Sequence, residues 1–200
     1  MYPSGRATIL LGALMLCAAC GEKKGDAVAD SGAVPAGAST AAMASPDSAT
    51  AGGLTDANIV YIVSMANKAE IERGSIATTK GTSAGVKDYG KMITGEHTAL
   101  ETEAQALATK LGVTPMAPAG DQSEAMAKTQ MDTFNATAKG AAWDKAYVDF
   151  ELTYHQQLME TAKSAIAAAK NTELKALLER AAPIVQKHID HAAELQGKMK

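Results

Sequence analysis

Cysteine is confined to one end of this 200-residue chain: Cys17 and Cys20 are the only two. With none beyond residue 20, a disulfide framework and a thiolate zinc site are excluded from the body of the protein. Aromatics are also scarce, with one Trp, five Tyr and two Phe, so alanine and aliphatic side chains must build most of the core. Alanine favours helix and lets helices approach closely, although each one buries little apolar area. A large excess of either charge is missing too, since 19 basic and 22 acidic residues leave a formal net charge of only −3. That balance offers a polyanion no electrostatic hold and argues against nucleic acid as a partner. The Gly-rich stretches fall in linkers and turns and lack the strand–loop–helix setting of a phosphate cradle. No serine sits in a nucleophile elbow, and no interior stretch alternates with the period of a strand.

What is present divides the chain into three parts. Residues 1–20, MYPSGRATILLGALMLCAAC, read as an export signal. Arg6 supplies the positive region, and the apolar run Ile9 to Leu16 is too short to span a membrane as a permanent helix. The ending in Ala18, Ala19 and Cys20 resembles the bacterial lipoprotein signal. That resemblance implies cleavage before Cys20 and lipid attached to it, which anchors the chain to a membrane. Here Cys17 stands three before the cut and the usual leucine is displaced to Leu16; an ordinary secretory signal is the alternative. Gly21 follows where an aspartate would mark inner-membrane retention, which implies the outer membrane or its periplasmic face. Losing this segment removes Arg6 and no acid, leaving 18 basic against 22 acidic residues, a net −4. Residues 21–54 are rich in Gly, Ala, Ser, Pro and Asp and read as a disordered tether. Its end-to-end distance as a flexible coil is about 30–35 Å.

Residues 55–200 read as one all-α domain. Thr55 can cap a first helix whose inner face is Ile59, Ile62, Val63, Ala66, Ala69 and Ile76. Glu70 lies close to that face, and Arg73 falls in the middle of it. The stretch Gly81 to Gly85 turns into a second helix with Val86, Tyr89, Ile93, His97, Leu100, Ala104, Leu107 and Leu111 in three–four spacing. Gly112, Pro115 and Pro118 break it. Residues 121–139 form a short helix. The third long helix, Ala141 to Ala169, carries most of the aromatics: Trp143, Tyr147, Phe150 and Tyr154. The fourth starts after Asn171 with Thr172 as the expected cap and runs through Pro183, a kink site, to His188, His191 and Leu195.

All four histidines fall on or beside these inner faces. Packed up and down, the long helices would bring Glu70, His97, His155 and His188 to one level. Imidazole nitrogen and carboxylate oxygen suit zinc, iron, manganese or copper. His191, three residues after His188, is a second-tier ligand. Glu151 sits one turn before His155 on the same face. The competing reading is structural: the rings hydrogen-bond to Tyr61, Tyr89, Tyr147 or Tyr154, and Arg73 neutralises Glu70 one turn away. The paired Glu-x-x-His motifs of di-iron carboxylate bundles are missing, which argues against ferroxidase chemistry.

The stretches AEIERGSIA (69–77), VKDYGKMITGEHT (86–98), LATKLGV (107–113), WDKAYVDFELTYHQ (143–156) and APIVQKHIDHAAEL (182–195) resemble the bacterial family called domain of unknown function 4142. The resemblance implies a ferritin-like, up-down four-helix bundle with an extra short helix, in an exported or outer-membrane protein. It implies a glutamate at Glu70 and histidines at His97, His155 and His188; Arg73 departs from the apolar residue expected there. The function expected is a non-enzymatic cell-envelope lipoprotein, stress-related or metal-binding, with a divalent metal as cofactor and unidentified protein partners. Alternatives are a metal-dependent oxidoreductase with a carboxylate–histidine centre, or a purely structural, partner-binding module.

Overall fold

In the computed structural model, residues 53–199 are described. The stretches read as an export signal (1–20, with Cys20) and as a tether, up to residue 52, lie outside them. Thr55 opens α1 (Asp56–Lys80) as its side chain predicts. Its hydroxyl accepts from the Asn58 N–H, and Asn58 reaches back to the Thr55 N–H, a reciprocal cap. Ser83 caps α2 (Ala84–Leu111), which Gly112 ends in the left-handed conformation, φ 64°. The short α3 (Ser123–Ala136) precedes α4 (Ala141–Ala168) and α5 (Thr172–Lys198). The cap of α5 is Asn171 rather than Thr172: its side chain accepts from the Glu173 and Leu174 N–H groups. Helix α5 continues through Pro183. No strand occurs among the described residues.

The four long helices form a ring in which α1 touches α2 and α4, and α5 touches α4 and α2. Polar clamps fix the chain direction. The Met116 N–H donates to the Ala57 carbonyl at the start of α1. At the other end of α1, the Lys80 ammonium donates to the carbonyls of Phe134, Asn135 and Thr137 at 2.6–2.8 Å. Residues 112–140 therefore travel the length of α1. Asp144 accepts from the Thr82 and Ser83 N–H groups at the α1–α2 turn. Asp56, at the far end, accepts from the Lys170 and Asn171 N–H groups between α4 and α5. With α3 as the return stroke, the five helices alternate in direction and α2 runs parallel to α4. One long crossover of this kind is the connectivity of ferritin-like bundles.

The core is apolar at both ends and polar between. One end holds Tyr89, Ile93, Phe134, Trp143, Tyr147 and Leu195. The other holds Ile59, Val60, Ala108, Leu174, Leu177 and Leu178. A smaller patch, Ala66, Tyr154, Leu158 and Val185, lies toward the middle. Between them is a layer of fully buried Glu70, Arg73, His97, Glu151, His155 and His188, each 0–1 % exposed. Beside that layer α1 and α2 approach backbone to backbone: a Cβ at Gly74 would stand 2.6 Å from the Gly90 carbonyl oxygen and 2.5 Å from Thr94 Oγ1. Glycine at 74 and 90 is what permits that spacing.

Candidate metal centre

Helical spacing alone explains why each ring points inward. His97 continues the Tyr89–Ile93 row of α2, His155 follows Tyr147 and Glu151 on α4, and His188 lies between Val185 and Ala192 on α5. The rings meet with centroids 5.0–5.9 Å apart. One nitrogen from each lies within 4.8 Å of the other two.

Their partners determine which nitrogens carry hydrogen. His155 Nδ1 sits 2.9 Å from the Glu151 backbone carbonyl. A carbonyl only accepts, so Nδ1 is the protonated nitrogen and Nε2 keeps its lone pair. His188 Nε2 sits 2.8 Å from a Glu96 carboxylate oxygen and donates to it, which leaves Nδ1 bare in the neutral ring. His97 Nδ1 faces Asn67 Oδ1 at 2.9 Å. The Asn67 amide is oriented by its NH2 group, which reaches Glu101 at 3.4 Å. His97 Nδ1 is thus the donor, and Nε2 is buried with no partner. Bare His155 Nε2 and bare His188 Nδ1 face each other at 3.1 Å. Two donors of one tetrahedral ion at 2.0–2.1 Å stand about 3.3 Å apart.

Two lone pairs at that distance repel one another unless a cation stands between them. A proton is disfavoured, because burial lowers all three imidazoles. His97 falls to about 3 and His188, with His155 beside it, to about 4; His155 is lowered as well. No tyrosine hydroxyl satisfies an imidazole nitrogen among the described residues. Tyr89 donates to the His188 backbone carbonyl, Tyr61 to Asp121, and the buried Tyr147 hydroxyl has no partner.

A second group of donors abuts the first: Glu70, Glu151 and His155. Here Arg73 intervenes. Its Nη2 contacts Glu70 Oε1 at 2.5 Å and its Nε contacts Glu151 Oε1 at 3.0 Å. The guanidinium lies over the Tyr154 ring, 4.0 Å from the centroid, and near Phe150 at 5.1 Å. Burial alone would raise the Glu70 carboxyl, but Arg73 outweighs it and brings it down to about 2. Burial and the charge on Glu70 push Glu151 well up. The layer therefore holds one carboxylate, one carboxylic acid and one guanidinium.

Residues 38–195 match the family described as Domain of unknown function (DUF4142). The chain belongs to that family. No curated protein and no solved structure matches the chain. In this DUF4142 domain, His97, His155 and His188 come together as one group. Glu70 falls in the second group, with Oε1 3.7 Å from His155 Nε2. His191 stands apart, half-buried, its ring edge-on to Tyr89 at 5.4 Å. The Arg73–Glu70 pairing weighed in the sequence is present. Glu151 as the second partner of Arg73, Asn67 behind His97 and Glu96 behind His188 were not anticipated. Glu151 carried a signal, one turn from His155 on the same face. Glu96 and Asn67 carried none, because their roles depend on interhelical register.

Proposed function

We propose that this domain is a metal-binding module of the cell envelope, holding one divalent transition-metal ion on His97, His155 and His188. The observation that carries the reading is the hydrogen-bond pattern. Each ring spends one nitrogen on a fixed acceptor and leaves the other bare toward its neighbours. Ligating histidines have this arrangement, with the outer N–H on a carboxylate or carbonyl setting tautomer and ring angle. Three neutral imidazoles suit zinc, copper or iron better than manganese, which favours oxygen. Arg73 already balances the Glu70 charge beside the rings, so the ion's charge is met by neutral imidazoles alone. Burial of all three rings favours retention of the metal over turnover of a substrate, so the role proposed is non-enzymatic. The envelope address rests on the Leu-Cys-Ala-Ala-Cys ending at residues 16–20, with lipid at Cys20 holding the domain to a membrane.

The test is reconstitution of the full chain with Zn2+ at neutral pH, desalting and elemental analysis. One zinc per chain is expected, falling to none when His97, His155 and His188 are all replaced by alanine. No retained metal in the wild type, or the same amount in the triple variant, overturns the reading. For the anchor, Cys20→Ala is expected to move the protein from the membrane fraction to the soluble one; unchanged partitioning removes lipidation at that residue.

A further inference from the structure

We infer that Arg73 is the built-in second cation of the polar layer, and that it withholds Glu70 and Glu151 from any metal ion. The inference rests on the three-histidine reading for its first ion, but its own support is separate. Glu70, Glu151 and His155 form a three-donor group of the kind that holds a metal. A guanidinium occupies it instead, in contact with one oxygen of each carboxylate. The other oxygens, Glu70 Oε2 and Glu151 Oε2, are buried and without hydrogen-bond partners. Two carboxyl groups aimed into a dry interior, each with one oxygen that has no hydrogen-bond partner, are an under-used cation site. Arg73 is itself fully buried, with its guanidinium over the Tyr154 face and near Phe150.

The consequence is selectivity. With both carboxylates engaged by Arg73, an incoming ion meets only nitrogen. Nitrogen donors suit zinc and copper, whereas carboxylate oxygens suit manganese and magnesium. Arg73 thereby fixes the number of ions at one and excludes hard, oxygen-seeking ions. Removing it exposes a carboxylate site that takes Mn2+, with Glu70 positioned between that ion and the histidine side, 3.7 Å from His155 Nε2.

The experiment compares full-length wild type, Arg73→Met, Arg73→Gln and Arg73→Lys for retained Zn2+ and Mn2+, with Mn2+ read by electron paramagnetic resonance. Wild type and Arg73→Lys, which keep a cation in place, are expected to retain no Mn2+. Arg73→Met and Arg73→Gln are expected to retain one Mn2+ per chain and to lose it when Glu70→Gln and Glu151→Gln are added. A variant that does not fold alone is refolded with and without Mn2+, and folding restored by the ion counts as uptake. Absence of Mn2+ uptake by both Met and Gln variants, uptake by the Lys variant, or uptake that survives loss of both glutamates overturns the inference. None of these results touches the histidine reading, which stands or falls on Zn2+ in the wild type.

Discussion

Removing the Arg73 side chain as Arg73→Met should cost the metal-free protein stability in a way that depends on pH. Methionine fills much of the arginine stem's volume, so the loss is chiefly electrostatic. Glu70 is left in a fully buried site without its cation. It escapes by taking a proton, against an ordinary carboxyl value of 4.5. Protonating such a group at pH 7 costs about 3.4 kcal/mol, and at pH 5 about 0.7 kcal/mol. The pH 7 figure falls within the roughly 3–5 kcal/mol seen when one partner of a buried ion pair is deleted. Loss of the cation–π contact with Tyr154 adds about 0.5–2 kcal/mol at either pH. The assay is urea denaturation in the presence of a chelator, wild type against variant at each pH, so that histidine titration common to both cancels. The penalty should be about 4–5 kcal/mol at pH 7 and about 1–3 kcal/mol at pH 5. Adding Glu70→Gln should recover most of the pH 7 loss, since the amide carries no charge to strand. A penalty under about 1 kcal/mol at pH 7, or one of equal size at both pH values, would refute the buried ion-pair account.

Acid should destabilise the metal-free wild type well above the usual carboxylate range. His97 and His188 stay neutral in the fold, with values near about 3 and about 4, against 6.5 when unfolded. The unfolded chain then binds more protons, and stability falls as pH drops from 6.5 toward those values. Each ring costs about 2 kcal/mol between pH 7 and pH 5. His155 acts in the same sense, and Glu151, which holds its proton in the fold, acts in the opposite one. Urea midpoints that stay flat or rise between pH 6.5 and 5 would contradict this. Asn67→Leu removes the acceptor of the His97 Nδ1–H and should weaken zinc binding by about 10–100-fold in a competition titration; unchanged affinity would deny Asn67 that role. Gly74→Ala forces a methyl group into the Gly90 carbonyl and Thr94 and should lower stability by about 1–3 kcal/mol, visible in thermal melts. An unaltered melting temperature would mean that α1 and α2 can part without loss.

The helices were legible because each long one has an inner face in three–four spacing, and because Thr55 and Gly112 are local signals acting within a turn; α4 starts at Gly140 with no side-chain cap. Asn171 in place of Thr172 is a shift of one residue, where two capping side chains stood side by side and only backbone geometry chose. The convergence of His97, His155 and His188 was legible from phase, since each sits in an apolar row. The separation of Glu70 from that group was not. Two carboxyl groups, Glu70 on α1 and Glu151 on α4, share Arg73, and that sharing is set by the register of α1 against α4. The same holds for Glu96, whose contact with His188 spans α2 and α5. Sequence periodicity gives the face on which a side chain lies; the partner across the interface follows from axial offset, which no single helix encodes.

The most direct test of the central claim is a crystal structure of zinc-loaded protein with an anomalous map at the zinc edge. A single interior peak is expected within about 2.0–2.1 Å of His155 Nε2, His188 Nδ1 and His97 Nε2, with Arg73 still bridging Glu70 and Glu151. Zinc found only on surface carboxylates, with the three rings closed on one another or on a water molecule, would contradict it.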